Sequence, residues 1–242
     1  MNTTKTQLKT QLNIQRACKI VDAQTDFMTG SLALKYCPAK EDGEEIVPFI
    51  NQIIDDNKKN NKYKMIIFTY DYHPKIHCSF IDDIQSTKIK LKNKEKDPKK
   101  VKLFETVTLA KTETTPEMEQ IMWPRHCVQG TEGSKLHKNI KFDNKLHTAI
   151  FKGTNKYIDS YSGFWDNGKK QETNLHKILQ KNNITHLDIG GLATDVCVKA
   201  TALHGIEHGY KVTLLRKICR GVDKDNIKLA IKEMKEANIL IN

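Results

Sequence analysis

The stretch THLDIGGLATDVCVKATALHG, residues 185–205, decides how this chain is read. Its opening, THLDIGG (185–191), is a short apolar run closed by two glycines, and VCVKATALHGIEHG (196–209) reads as a helix. An apolar run that breaks at glycine and re-emerges as a helix is the repeating unit of a parallel sheet whose strands are covered on both faces. Cys197 falls at the junction. Cysteine is small and apolar enough to start many helices, but a thiol among helix N-terminal amides is also placed to act as a nucleophile.

The same unit recurs. ACKIVDAQ (17–24), KMIIFTYDYH (64–73), TAIFKG (148–153) and KVTLLR (211–216) read as further strands. EEIVPFINQIIDDNKKNN (44–61) carries Ile46, Val47, Ile50, Ile53 and Ile54 at helical spacing, with Pro48 in the first turns where it is tolerated. ETNLHKILQKNN (172–183) and DNIKLAIKEMKEANI (225–239) are the remaining helices. Strands alternating with helices predict a single-domain, three-layer α/β fold over residues 17–242, a mostly parallel central sheet with helices on both faces. A polar tail, residues 1–16, precedes it. In such folds ligands bind beyond the carboxyl ends of the strands. Asp22 ends the first strand, Asp71 and His73 the second and Lys152 the third, while Cys197 follows the fourth. A structural reason for one of these is ordinary; four strands delivering ionisable groups to one edge is a candidate site.

Composition narrows the function classes. The 242 residues are 38% hydrophobic with a formal net charge of +11. Much of that charge lies in STKIKLKNKEKDPKKVKLFETVTLAK (86–111), within a lysine-rich insertion at about 86–115. Phe104 is its one aromatic residue and no groove-reading motif accompanies it, which disfavours nucleic acid as a partner and reads as a solvated loop. No run approaches membrane-spanning length, and the N-terminus lacks the apolar core of a secretory signal. The six cysteines (18, 37, 78, 127, 197, 219) form no CxxC pair, so reduced thiols and a cytoplasmic setting are expected, though the basic segment could also be a nuclear address.

The chemistry at the edge has two parts. Asp71 and His73 are two apart in an extended segment and point the same way, so they can share a divalent metal, with His126 of WPRHC as a third ligand. An Asp-His-His set with open positions suits zinc, iron or manganese. Cys197 is the candidate nucleophile, its pKa open to lowering by the helix start or by Lys152, and Asp22 the candidate proton carrier. Amides after Leu192 and at Cys197 could stabilise an oxyanion.

VDAQTDF (21–27), YDYHP (70–74), WPRHCVQGT (123–131), FKGTNKYIDSYSGF (151–164) and GLATDVCVKATAL (191–203) resemble, in order, the signature segments of nicotinamidases, amidohydrolases of the isochorismatase-like cysteine hydrolase superfamily. The resemblance runs from about residue 17 to 239. It implies a catalytic triad of Asp22, Lys152 and Cys197, and a metal site of Asp71, His73 and His126, most often zinc. It further implies a cis peptide between Leu192 and Ala193, oxyanion donors at Ala193 and Cys197, and substrate contacts from Phe27, Trp123 and Leu192. The implied reaction is hydrolysis of nicotinamide to nicotinate and ammonia through a thioester, in NAD salvage, by a protein that is often a homo-oligomer. Two features depart from the family pattern: Val196 stands where a tyrosine is frequent, and the insertion between His77 and Trp123 is long. Cys127 is expected to pack beneath its loop.

Other readings are a hydrolase of the same fold acting on another small amide, an isochorismatase-type vinyl-ether hydrolase, and a non-catalytic binder using the basic loop. The thiol and metal set speak against the vinyl-ether enzyme, and the intact six-residue set speaks against a binder.

Overall fold

In chain order the elements are β1 (Arg16–Val21), α1 (Thr25–Met28), α2 (Val47–Asn60), β2 (Met65–Asp71), α3 (Ile81–Gln85), β3 (Thr106–Leu109), β4 (Met118–Ile121), β5 (His147–Lys152), α4 (Leu175–Lys181), β6 (His186–Leu192), α5 (Lys199–Glu207), β7 (Lys211–Arg220), α6 (Lys224–Glu236) and β8 (Leu240–Ile241). They come from a computed structural model that describes residues 14–92 and 96–242. Residues 1–13 of the expected tail and 93–95 of the insertion lie outside the described residues.

Six strands form one sheet in the order β5-β2-β1-β6-β7-β8, with every neighbouring pair parallel. Strands in this setting are apolar on both faces, and β1 shows why. Cys18 and Ile20 face one layer with Phe68 of β2 and Ile50 and Ile54 of α2. Ala17 and Val21 face the other, with Ile67, Leu187, Ile189 and Leu214 from neighbouring strands and Leu179, Ala202 and Met234 from α4, α5 and α6. Alternation along the strand thus feeds two cores. From β1 the chain moves outward to β2 on one side, whereas β6 leads to β7 on the other. The loops after β1 and β6 therefore diverge, and the crevice between them opens above Asp22 and Cys197.

Local chemistry sets the element ends. Asp22 stops β1 by taking a left-handed φ of 46°, tolerable for Asp. Asp223 caps α6 by accepting from the amides of Asp225 and Asn226. The helix expected from residue 196 begins instead as a wide π turn, Thr194–Val198, before α5. β7 runs past the expected 216 to Arg220, and β2 ends at Asp71, short of His73. The Leu192–Ala193 peptide is cis.

The insertion differs most from expectation. Its described part is no solvated loop: β3 and β4 pair antiparallel, and Ile89, Val101, Val107, Leu109 and Met122 bury a small core with Cys78 and Ile84. Lys92, Lys99, Lys100 and Lys102 stay exposed, so the lysines cover an apolar underside. Among the described residues, no helix is long and apolar enough to cross a membrane.

Candidate active site

Parallel register assembles the first half of the site. Asp71 at the end of β2 is the pairing partner of Lys152 at the end of β5, and Val21 that of Gly191. Asp22 and the turn holding Cys197 therefore emerge side by side, one strand away from Asp71. The Lys152 ammonium is fully buried and donates to Asp71 Oδ1, to the Ser160 carbonyl at 2.9 Å and to Cys197 Sγ at 3.5 Å. Its three protons are thereby used. Asp22 Oδ2 lies 2.9 Å from Nζ as a charge contact without hydrogen-bond alignment, and neither Asp22 oxygen has a hydrogen-bond donor among the described residues. A carboxylate in that state is ready to accept a proton from the adjacent thiol.

The electrostatics assign resting charges. Burial pushes Asp22 up, and Lys152 offsets this only in part. Burial would also raise Asp71, but Lys152 and His73 outweigh it and hold Asp71 well below the usual carboxylate range. Burial works against a charged Lys152, yet Asp22 and Asp71 keep it an ammonium with a pKa well above normal. For Cys197 the expected lowering does not occur. Burial, reinforced by Asp22 and Asp71, pushes the thiol well up, and the single ammonium at 3.5 Å does not reverse this. The resting Cys197 side chain is a neutral thiol, so as a nucleophile it would have to lose its proton as it attacks.

The second half is a candidate metal-ligand set. One ligand atom each from Asp71, His73 and His126 lie within 4.8 Å of one another, all buried. His73 Nδ1 meets the Gly153 carbonyl at 2.8 Å and His126 Nδ1 the Pro124 carbonyl at 2.7 Å. A carbonyl accepts only, so each ring carries a proton on Nδ1 and turns Nε2 inward, the nitrogen that binds a metal once it is unprotonated. Asp71 raises the His73 pKa against its burial, so a cation would take the place of that proton. His73 Nε2 is buried with no hydrogen-bond partner among the described residues, and burial with His73 nearby holds His126 down to about 4. A carboxylate and two inward-facing imidazole nitrogens fit a divalent cation. Gly153 (φ 65°) permits the His73 contact, because a Cβ there would sit 2.5 Å from the His73 ring. Of the two other groups of possible ligands, His73, His77 and Asp159 share His73 with the first, and Asp22, Asp71 and Cys197 are already bridged by Lys152.

Both halves open on one cavity, lined by Phe27, Leu32, Leu34, Asp71, Trp123, His126, Asp159, Tyr161, Ala193, Val196, Cys197 and Val222. Phe27 and Trp123 are thus where the sequence places them. Leu192 is not: alternation at the end of β6 turns its side chain into the core, against the Gly43 backbone, and presents Ala193 to the cavity instead. Cys127 is buried, its Sγ directed at the Gly133 carbonyl, and its amide donates to Asp26.

Several supporting residues escape a reading of the sequence. Gln24 accepts from the Asp71 amide and donates to the Asp71 carbonyl, clamping the backbone of a ligand. Asp26 holds the His126–Cys127 turn. His77 stacks on His73 with ring centroids 4.0 Å apart, and Asp159 and Tyr161 form cavity wall. Polar residues just after a strand, as in VDAQTDF and FKGTNKYIDSY, are the available signal.

Residues 16–241 match the isochorismatase domain family. The chain is 35% identical to the nicotinamidase of Escherichia coli over 209 residues, 86% of this chain and 84% of that one. Its fold superposes on the yeast nicotinamidase bound to the inhibitor nicotinaldehyde with a TM-score of 0.76, at 29% identity, covering 94% and 99% of the two chains. For the pyrazinamidase of Pyrococcus horikoshii in complex with zinc the TM-score is 0.67 at 30% identity, covering 94% and 98%. The chain belongs to the isochorismatase family, and nicotinamidases are relatives that it matches over nearly its whole length.

Proposed function

We propose that this protein is a metal-dependent cysteine amidase that hydrolyses nicotinamide to nicotinate and ammonia. The observation that carries the reading is the meeting of Cys197, an Asp22 carboxylate with no hydrogen-bond donor among the described residues, and Lys152, beside an Asp-His-His set on one aromatic-walled cavity. As Cys197 Sγ bonds to the amide carbon, its proton passes to Asp22. The amides of Ala193 and Cys197 take the developing oxyanion. Asp22 then protonates the amine, the C–N bond breaks and ammonia leaves a thioester on Cys197. Water attacks that thioester, gives a proton to Asp22 and releases nicotinate, and the proton returns to sulfur. Lys152 remains an ammonium throughout, holding Asp71 and steadying the sulfur as charge builds on it. Asp71, His73 and His126 would hold the metal, which supplies a Lewis-acid anchor for the substrate ring. We assign it as zinc, a choice supported by the donor set and by the zinc complex of the Pyrococcus relative.

The test is ammonia release from nicotinamide, pyrazinamide and an aliphatic amide, before and after chelation and after restoring zinc, manganese or iron. Release from nicotinamide that chelation abolishes and zinc restores supports the reading. Turnover of the aliphatic amide alone moves the substrate, and chelator-insensitive turnover removes the metal.

A further inference from the structure

The lysine-rich insertion touches the cavity wall through Phe104, which packs edge-on against Trp123, and the hairpin's second strand adds a polar contact through Gln120. Gln120 lies on β4, paired across the hairpin with Val107, and is 2% exposed. Its Nε2 approaches Asp159 Oδ2 at 3.1 Å, the Tyr161 hydroxyl at 3.0 Å and the Ile121 carbonyl at 3.0 Å. An amide nitrogen has two protons, so these three acceptors share them. Asp159 and Tyr161 are cavity wall on the loop after β5, and the residue between them, Ser160, gives its carbonyl to Lys152. Three residues beyond Gln120, Trp123 lines the same cavity, its side chain beside Tyr161.

We propose that Gln120 is a positioning residue for the substrate cavity, holding the Asp159–Tyr161 loop against the hairpin strand that leads into Trp123. The insertion is then part of the frame that fixes cavity width. Neither Asp159 nor Tyr161 takes part in the proton transfers above, so loosening them weakens ground state and transition state alike. That raises KM with little change in kcat. Burial pushes the Asp159 carboxyl up, so a lost donor also leaves a buried acceptor poorly satisfied.

This inference rests on the amidase reading, and its test separates the two. Gln120→Leu removes both donors at similar volume; Gln120→Glu keeps the shape but sets a carboxylate against Asp159; Glu119→Gln, on the exposed side of the same strand, is the control. Nicotinamide kinetics and calorimetric nicotinate binding are measured on metal-loaded protein. The expected result is KM and the nicotinate Kd raised about tenfold in Gln120→Leu and further in Gln120→Glu, kcat within about threefold, and no change in the control. Unchanged KM and Kd in either folded Gln120 variant, whatever the Tm, overturns the proposal. A wild type that binds nicotinate but releases no ammonia sinks the amidase reading while the Kd comparison still decides the role of Gln120. A wild type that does neither overturns both.

Discussion

Two lysines are buried on strands of the same sheet, and they obey opposite rules. Lys152, on β5, is enclosed by Asp71, the Ser160 carbonyl, Cys197 and Asp22. Lys19, on β1, is just as buried, yet its ammonium has no hydrogen-bond partner among the described residues. It lies under Gly163, where an added Cβ would meet Nζ at 2.5 Å. Burial lowers the Lys19 pKa to about 7, with Asp22 opposing and Lys152 assisting, whereas the carboxylates around Lys152 lift its pKa despite equal burial. Depth alone therefore does not make a charge useful. Partners do, and a buried ammonium without them is a cost to the fold.

The sharpest way to break this contrast is Lys152→Met. It leaves Asp22 and Asp71 buried without their counter-ion, so kcat should fall roughly 10³-fold or more and stability by about 3–5 kcal/mol. Steady-state kinetics of the metal-loaded protein and urea melts of the metal-free protein check the two numbers, and unchanged stability would mean that the carboxylates do not depend on Lys152. Lys19→Met should do the reverse. Replacing an unpaired buried ammonium with an apolar chain should stabilise by roughly 1–4 kcal/mol and leave kcat within about threefold; a destabilised variant would reveal a partner for Lys19.

The pH dependence of wild-type stability sharpens the point. Below about pH 7 Lys19 is charged in both folded and unfolded chains and its full burial penalty stands. Between about 7 and the ordinary 10.5 only the unfolded chain holds the proton, so the penalty shrinks as pH rises. Stability relative to Lys19→Met should climb across that window in denaturant titrations; a flat difference contradicts the assignment. The smallest effect is expected from chelation. Because Lys152 already neutralises Asp71, metal-free protein should stay folded, with Tm lower by only a few degrees and dependent on metal concentration. Global unfolding on chelation would show that Asp71 relies on the cation.

The contrast also separates what is legible in the sequence from what is not. Lys152, Asp22, Asp71 and Cys197 can be found because each sits where an apolar run ends, and strand ends in a parallel sheet share an edge. Lys19 is hidden inside ACKIV, since an interior strand position predicts an apolar side chain and nothing local signals the exception. The cavity walls are half visible: Phe27 and Trp123 stand in recognisable segments, while Asp159, Tyr161 and Gln120 are brought together by packing between distant loops. Leu192 is misplaced by the sequence because face is set by pleat and register, which one-residue changes invert. The hairpin in the insertion is hidden by its lysines, whose charge masks the apolar residues beneath. The direction of the thiol's pKa shift is misjudged because a helix start is visible in sequence, and the burial that outweighs it is not.

The most direct test of the central claim is ammonia release from nicotinamide by metal-loaded wild type and Cys197→Ala, with metal content and melting measured on the same samples. Wild type should give ammonia and nicotinate in equal amounts, with a loss of roughly 10³-fold or more in a variant that melts and binds metal like its parent. A Cys197→Ala protein that turns over within about tenfold of wild type would contradict it, because among the described residues the thioester route has no other sulfur lining the cavity.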